Sequence, residues 1–457
     1  MSKEYRKRKQ AEKIIKKLMK NGYEAFFVGG AVRDIILGFI PDDFDIATSC
    51  LPSDVAKIAL EEGWDIIQTF KEFGVVTIII EDYSYEVTTF RSDEYGSDSH
   101  KPENINIVSS IQDDLKRRDF TMNALALDLS GSVFDIFGGV EDIQKSIVRT
   151  VKDPVVSFNE DALRMFRAVR FATSLNFIID PDAFSAIGLN LNRTKGLSID
   201  RIIEEFKKIL LAEGLSSGLE LLLKSGLYNT ICLRKENGKT SQVEFFPELR
   251  YLIKSQKMAE GTFLDKRVVN FIKNVPRDIN LRWATILIGI IEGYKERTAD
   301  TFDCAYYLKM VDQILKRLKI GQPEAKNIKW LIKQHFEISK DPQLDILKWL
   351  NNVAKDFKSY EEMTSFIVGL INISIAKQKA GYNDLVNFKF FRVKVYELMK
   401  DKPFYIEQLA VSGGQIAKKI GQSDKVGKIQ RDMLKKIQNN ELCNTPEILG
   451  KYLLKYL

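Results

Sequence analysis

The sequence predicts an α+β protein: a small N-terminal head with a mixed or antiparallel β-sheet and helices, followed by an all-helical remainder. Two changes of texture carry this. Up to about residue 140, short runs rich in Val, Ile, Phe and Thr alternate with helical patterns. Beyond it strand signals nearly vanish, and apolar residues recur with a 3.6-residue period as far as Leu457. The 457 residues give room for more than one core.

The elements follow in order. In "MSKEYRKRKQAEKIIKKLMKNG", Ala11, Ile14, Ile15, Leu18 and Met19 mark one face of an amphipathic helix, and the lysines mark its solvated face. This stretch has no apolar h-region, so no signal peptide is expected. "AFFVGG" reads as a strand stopped at Gly29-Gly30, and "AVRDIILG" as a helix. "FDIATS", "DIIQTF", "VVTIII", "YEVTTF" and "VFDIFGG" read as further strands of one sheet. In "DLKRRDFTMNALALD", a double arginine before a helix, Phe120, Met122, Leu125 and Leu127 bury one side. Arg118, Asp119 and Asn123 are thereby left to share another. "EDALRMFRAVRFATSL", "IDRIIEEFKKILLAEG" and "SGLELLLKSGL" are helices, and "WATILIGII" (283–291) is a buried one, short of the ~18 apolar residues of a membrane span. "RKENGKT" (234–240) and the surroundings of Pro323 and Pro342 are candidate boundaries.

Composition narrows the chemistry. A net charge of +7 suits a polyanionic partner. Cys50, Cys232, Cys304 and Cys443 are scattered without a CxxC pair, which points to reduced thiols in a cytoplasm. Only His100 and His335 occur, so HExxH sites, His-rich cages and a Ser-His-Asp triad have no support. A metal here must be held by carboxylates, which selects a hard ion such as Mg²⁺.

Two glycines ending a strand allow a bulky anion to approach the backbone, with Arg33 one turn into the next helix. The spacing is not GxGxxG, and no GxxxxGK[ST] occurs. Asp43 and Asp45 lie on the run "FDIAT", where alternation puts both side chains on one face of a strand. Glu86 in "YEVTTF" can complete the cluster from a neighbouring strand. Two divalent ions held there would activate a hydroxyl nucleophile and neutralise a triphosphate leaving group. An Asp-x-Asp alone is not specific: Asp180 and Asp182 form another, in a turn around Pro181. The upstream glycines, the arginine and the third carboxylate distinguish the first pair.

Taken in order, "GYEAFFVGGAVRDIILGFIPDDFDIATS", "EVTTFRSDEY", "DDLKRRDFTMNALALD", "IFGGVEDI" and "NEDALRMFRAVRFA" resemble the successive motifs of class II tRNA nucleotidyltransferases, the CCA-adding relatives of bacterial poly(A) polymerases. The resemblance covers roughly the first 220 residues, and "LAVSGGQIAKKIGQSDKVGKIQRDMLKKIQ" (409–438) looks like the family's tail. It implies a catalytic head at 1–139, a nucleotide-recognising neck at 140–200, a body at 201–340 and a tRNA-binding tail at 341–457. It also implies template-independent addition of C, C and A to the 3′ end of tRNA from CTP and ATP, with Mg²⁺, in the cytoplasm and away from membranes. Asp43 and Asp45 resemble the metal-binding carboxylates, with Glu86 the third catalytic acid. Gly29, Gly30 and Arg33 resemble nucleotide-phosphate contacts. Arg118 resembles a nucleotide ligand, Asp119 and Asn123 fall where the family holds sugar and triphosphate, and Asp161, Arg164, Arg167 and Arg170 match its nucleotide-binding helix.

That helix also has a chemical argument. Asp161 and Arg164 are three apart and so neighbours on one helix face. Cytosine and adenine each present an amino donor beside a ring-nitrogen acceptor. An aspartate accepts from the first while an arginine donates to the second. Uracil and guanine present the reverse, a mismatch costing about 1–3 kcal/mol per group. Arg167 and Arg170 continue at three-residue steps toward phosphates. Charges so spaced also arise on an ordinary solvated helix face, and the lysines of the tail segment suit either phosphate binding or solvation.

The stretch "SDEYGSDSHKPENINIVSSIQ" has the length of the flexible loop in full CCA-adding enzymes, although "DSHKP" stands where Asp-Gly-Arg-Arg-Pro is more usual. "TFKEFGVVTIII" resembles the CCA type rather than the basic signature of poly(A) polymerases, and Asp200 stands where the family usually has Glu. An A-adding enzyme or a poly(A) polymerase on the same scaffold stays open, as does a non-catalytic RNA-binding relative, which would not need the paired carboxylates. Oligomeric state and the added length between about 240 and 400 are not decided by the sequence.

Overall fold

The structure is a computed structural model describing residues 3–67, 74–94, 104–253, 264–298, 303–340, 344–382, 388–421 and 424–456. The chain forms two compact units: residues 1–250 with 314–319, and residues 251–313 with 320–457.

The first unit opens with α1 (Lys3–Lys20), β1 (Ala25–Val28), α2 (Gly30–Ile36), β2 (Ile46–Thr48), α3 (Pro52–Glu61), β3 (Asp65–Ile67), β4 (Val75–Ile80) and β5 (Tyr83–Thr89). A hairpin of β6 (Arg91–Glu94) and β7 (Asn104–Ile107) follows, then α4 (Ile111–Lys116), β8 (Leu125–Leu127) and β9 (Val133–Asp135). Seven strands make one sheet in the order β3-β4-β5-β2-β1-β8-β9, mixed because β2 and β5 run parallel while the other neighbours run antiparallel. Alternation does what the pattern predicts in β4, where Val76, Ile78 and Ile80 point inward. On α1, Ala11, Ile14, Ile15 and Leu18 are buried, but Met19 is 52% exposed: the apolar stripe ends one residue sooner than expected.

The arginine pair departs from the sequence reading. α4 stops at Lys116, and "RRDFTMNALALD" forms a 3-10 turn at Thr121–Asn123 and then β8, not a helix. Phe120, Met122, Leu125 and Leu127 are nevertheless all buried. At "IFGG", α5 (Gly139–Gln144) begins where a Cβ on Gly139 would lie 2.2 Å from the Thr121 carbonyl oxygen, so only glycine fits.

A short parallel pair, β10 (Ile147–Val148) and β11 (Ile178–Ile179), accompanies α6 (Pro154–Glu160), α7 (Leu163–Leu175), α8 (Pro181–Asn190), α9 (Ile199–Leu211) and α10 (Leu215–Ser225). Asp180 caps α8 through the Ala183 amide, with Pro181 at the first turn, which accounts for the second Asp-x-Asp. "RKENGKT" is not a boundary. It is the turn of a hairpin, β12 (Ile231–Glu236) and β13 (Lys239–Glu244), with Asn237 and Gly238 at φ 49° and 75°.

The second unit holds α11 (Lys266–Lys273), α12 (Ile279–Thr298), most of α13 (Cys304–Arg317), α14 (Gln322–Lys340), α15 (Ile346–Val353), α16 (Tyr360–Lys379), α17 (Phe388–Asp401), α18 (Gly413–Ile420), α19 (Val426–Gln438) and α20 (Pro446–Tyr452). "WATILIGII" is buried throughout. His335 is a core residue whose protonation burial, Lys377 and Lys295 disfavour. His100, "DSHKP", residues 68–73 and Pro342 lie outside the described residues. Among the described residues no helix is long and apolar enough to cross a membrane.

Candidate active site

β1 ends in the glycine turn. Gly29 has φ 69°, and a Cβ there would lie 3.0 Å from Arg118 Nη1. A Cβ on Gly30 would lie 3.6 Å from Arg33 Nη2. Both arginine heads therefore lie close over the turn. Arg118 is aimed by Asp114, whose Oδ2 accepts from Arg118 Nη2 at 3.0 Å. Asp114 Oδ1 accepts from Arg117 Nε and Nη2 at 3.0 and 2.9 Å. Burial pushes the Asp114 carboxyl up, but the guanidiniums of Arg118 and Arg117 outweigh it and hold it below the usual range.

Asp45 lies just before β2, with Asp43 and Glu86 near enough to act on its charge. Asp43 and Asp45 are not on a strand, because β2 begins at Ile46. The alternation holds all the same: Phe44 between them is buried. The Val28 amide donates to the Asp45 carbonyl at 3.0 Å, which fixes Asp45 beside the end of β1. The parallel register Ile46↔Val87 sets Asp45 next to Glu86. Although open to solvent, Asp45 sits among crowding atoms. Desolvation, Glu86 and Asp43 push its carboxyl up to about 6, against a lowering by Arg118. Asp43 is 82% exposed and pairs with Lys7 Nζ at 3.4 Å.

Among the described residues no three His, Cys, Asp or Glu side chains stand together as a ready cage for an ion. The donor chemistry fits one. The acids offer only oxygen, and their mutual repulsion at Asp45 leaves the spot short of positive charge.

Behind the turn, the expected nucleotide residues join in one network. Arg33 Nη1 donates to Asn123 Oδ1 at 2.8 Å, and Asn123 Nδ2 donates to Asp119 Oδ1 at 3.1 Å. Arg167 Nε donates to Asp119 Oδ2 at 2.7 Å, and Arg170 Nε to Glu205 Oε2 at 2.8 Å. Burial raises the Asp119 carboxyl, but Arg167, Asn123 and Arg164 outweigh it and hold it at about 2. Arg167 and Arg170 thus face protein carboxylates, where three-residue steps had suggested phosphates.

Asp161 is not on the helix that carries Arg164. It lies between α6 and α7 with φ −138°, and its Oδ1 accepts from the Leu163 amide at 3.0 Å, starting α7. Its Oδ2 is 3.4 Å from Arg201 Nη2. Arg164, 4% exposed, donates from Nη1 to Ser157 Oγ at 2.9 Å and Glu160 Oε2 at 3.2 Å, and from Nη2 to the Arg117 carbonyl at 3.0 Å. The two remain in one turn through the Arg164 amide and Asp161 carbonyl, 3.0 Å apart.

Asp114, Ser157, Glu160 and Glu205 had no part in the sequence reading. Asp114 was findable, standing three and four residues before Arg117 and Arg118. Glu205 meets Arg170 across 35 positions, which no local spacing announces.

Parts of the chain match known proteins. Residues 25–149 match the family described as the poly A polymerase head domain, and residues 176–232 match the probable RNA and SrmB-binding site of polymerase A. The CCA-adding enzyme of Geobacillus thermodenitrificans is 45% identical over 218 residues, 48% of this chain and 53% of that protein. That of Lactobacillus johnsonii is 38% identical over 238 residues, 52% of this chain and 58% of that protein. The chain spans about half the length of the curated relatives it matches. A crystal structure of the Bacillus stearothermophilus CCA-adding enzyme in complex with CTP superposes with a TM-score of 0.66 at 25% identity, covering 100% of this chain and 98% of that one. The first half of the chain is thus similar to the poly A polymerase head domain and to CCA-adding enzymes.

Proposed function

We propose that this chain adds C, C and A to the 3′ end of tRNA from CTP and ATP, without a template and with release of pyrophosphate. One observation carries the reading: a glycine turn overlain by Arg118 and Arg33 follows the end of β1, beside the start of β2 where Asp43 and Asp45 lie, with Glu86 on the neighbouring strand β5. The similarity of the first half to CCA-adding enzymes supports it. In this reading 1–139 is the catalytic head, 140–200 and 201–340 the neck and body, and 341–457 the tRNA-binding tail of a cytoplasmic enzyme.

Asp43 and Asp45 would hold Mg²⁺, with Glu86 beside them. When bound, such an ion lowers the pKa of the terminal 3′-hydroxyl and neutralises the departing pyrophosphate. The chain's own residues position the reactants. Gly29 and Gly30 let the triphosphate lie against the backbone, where Arg118, aimed by Asp114, and Arg33, aimed by Asn123, meet it. The 3′ oxygen bonds to the α-phosphorus as the bond from that phosphorus to the pyrophosphate oxygen breaks. Asp161 accepts from the amino group of cytosine or adenine, while Arg164 donates to the ring nitrogen. Arg167 and Arg170 order Asp119 and Glu205 behind the nucleotide.

Incorporation into tRNA transcripts ending before CCA, after C and after CC tests this, with CTP and ATP supplied separately and together. Completion of all three, stopping after the terminal A, is the expected result. Extension of the CC-ending transcript alone makes it an A-adding enzyme. Long A tails on many RNAs make it a poly(A) polymerase, and no transfer under Mg²⁺ makes it a binding protein.

A further inference from the structure

Phe171 on α7 is 4% exposed and has no polar atom to offer, yet three guanidinium groups surround its ring. The Cζ of Arg170 lies 3.4 Å from the ring centroid, that of Arg33 5.1 Å and that of Arg167 5.4 Å. Phe120 meets the same ring edge-on with centroids 5.6 Å apart, which fixes its plane. Arg33 comes from α2 at the glycine turn, whereas Arg167 and Arg170 come from α7 itself. Each of the three cations also has its own carboxylate: Asp34 for Arg33, Asp119 for Arg167 and Glu205 for Arg170.

Three like charges around one apolar side chain need a reason to stay there. The carboxylates neutralise them at the N–H edges of the guanidiniums, which leaves the planar faces free to lie against a ring. The negative face of an aromatic ring attracts cations, and does so more strongly where water is excluded. An aliphatic side chain of the same bulk would fill the volume and supply no such attraction.

We propose that Phe171 is a positioning residue for the incoming nucleotide, holding Arg33 over the glycine turn by the charge distribution of its ring and not by its bulk alone. This rests on the reading of that turn as the triphosphate site.

The test replaces Phe171 with mono-, di- and trifluorinated phenylalanine, which keep the shape of the ring while draining its negative face, alongside Phe171→Tyr and Phe171→Leu. Equilibrium dialysis with radiolabelled CTP and ATP gives Kd without any need for transfer. Transfer kinetics on a tRNA transcript give KM and kcat separately. Kd and KM for both nucleotides are expected to rise stepwise with fluorination to about tenfold at the trifluoro ring. Across that series kcat holds, and the melting temperature falls by no more than a few degrees, the share of the lost attraction. Phe171→Tyr keeps the ring's negative face and is expected to keep the wild-type Kd, and Phe171→Leu to match the trifluoro ring in Kd while melting lower. A Kd that stays flat across the fluorinated series overturns the role of Phe171 alone, whatever the leucine variant does. A wild-type protein that binds neither nucleotide overturns the functional reading and this inference together.

Discussion

Arg164 donates from Nη2 to the main-chain carbonyl of Arg117 at 3.0 Å, so the arginine proposed to read the base is tied to the segment that brings Arg118 over the glycine turn. The Arg117 side chain is itself fixed by Asp114, whose other oxygen takes Arg118. One buried carboxylate thereby sets the spacing between the two regions proposed to grip one nucleotide. Asp93 joins the same cluster through Arg91 and Arg117, at 3.3 and 3.4 Å.

Asp114→Ala is expected to be among the more costly substitutions in the first unit. It strands the largely buried Arg118 guanidinium and leaves Arg117 to its longer contact with Asp93, and breaking a buried ion pair from one side costs about 3–5 kcal/mol. Urea unfolding should show a loss of at least about 3 kcal/mol. A midpoint within error of wild type would mean that Arg117 and Arg118 find other partners.

Asp119 gives the first unit an acid sensitivity with a defined sign. Its folded pKa of about 2 lies below that of an unstructured aspartate, so its contribution is fully present above the unfolded value. The contribution is lost as pH falls through about 4 towards 2, where both states are protonated. Near neutral pH it amounts to about 2 kcal/mol. The stability difference between wild type and Asp119→Asn should therefore be constant from pH 7 to 5 and shrink below. A difference indifferent to pH down to 3 would place the charge elsewhere.

The head was legible because its strands are short, β-branched and bounded by glycine or turn residues, and because Phe44 keeps Asp43 and Asp45 in phase even off the strand. Less legible was whatever depends on contacts remote in sequence. "ALAL" carries no alternation to separate a strand from a helix, so β8 declares itself only by pairing with β1 and β9. The Asn237-Gly238 turn is a hairpin signal in its own right, masked by the charged, exposed strands on either side. Arg167 and Arg170 have the spacing of a charged helix face, and nothing local shows that Asp119 and Glu205 wait opposite.

Two glycines make a paired test of the packing. A Cβ on Gly139 would meet a main-chain oxygen at 2.2 Å, and neither backbone can retreat without breaking the 3-10 turn or α5. Gly139→Ala is expected to cost more than about 3 kcal/mol or to prevent folding. Gly188, on the exposed side of α8, has nothing within 4 Å of such a Cβ. Gly188→Ala is expected to raise stability by about 0.5–1 kcal/mol through helix propensity alone. Thermal melting of the two variants reads both signs.

The acid cluster sets function against stability. Asp45 is held at about 6 by desolvation and by its neighbours Glu86 and Asp43, so its charge is a burden on the ion-free fold. Asp45→Asn is expected to leave the melting temperature unchanged or raised while reducing transfer by at least about a hundredfold. Chelation of divalent ions should likewise abolish transfer by the wild type and leave most tRNA affinity in a filter-binding assay. Full transfer in chelator would remove these carboxylates from the reaction.

Selection of the base can be separated from folding at Asp161. The side chain accepts from the Leu163 amide at 3.0 Å and approaches Arg201 only at 3.4 Å, and an asparagine oxygen can keep the first contact. Asp161→Asn should therefore start α7 as before and melt with the wild type. What changes is the group offered to the nucleotide. An amide N–H suits the uracil carbonyl that the carboxylate repels, and it clashes with the amino group of cytosine. Discrimination between CTP and UTP, measured as the ratio of kcat/KM on a transcript ending before CCA, should fall by about 10–100-fold. Most of the fall should come from slower use of CTP together with newly measurable use of UTP. An unchanged ratio in a folded, active variant would move base recognition to another residue. Arg164, buried and tied to the Arg117 carbonyl, would then be left to act without its neighbour.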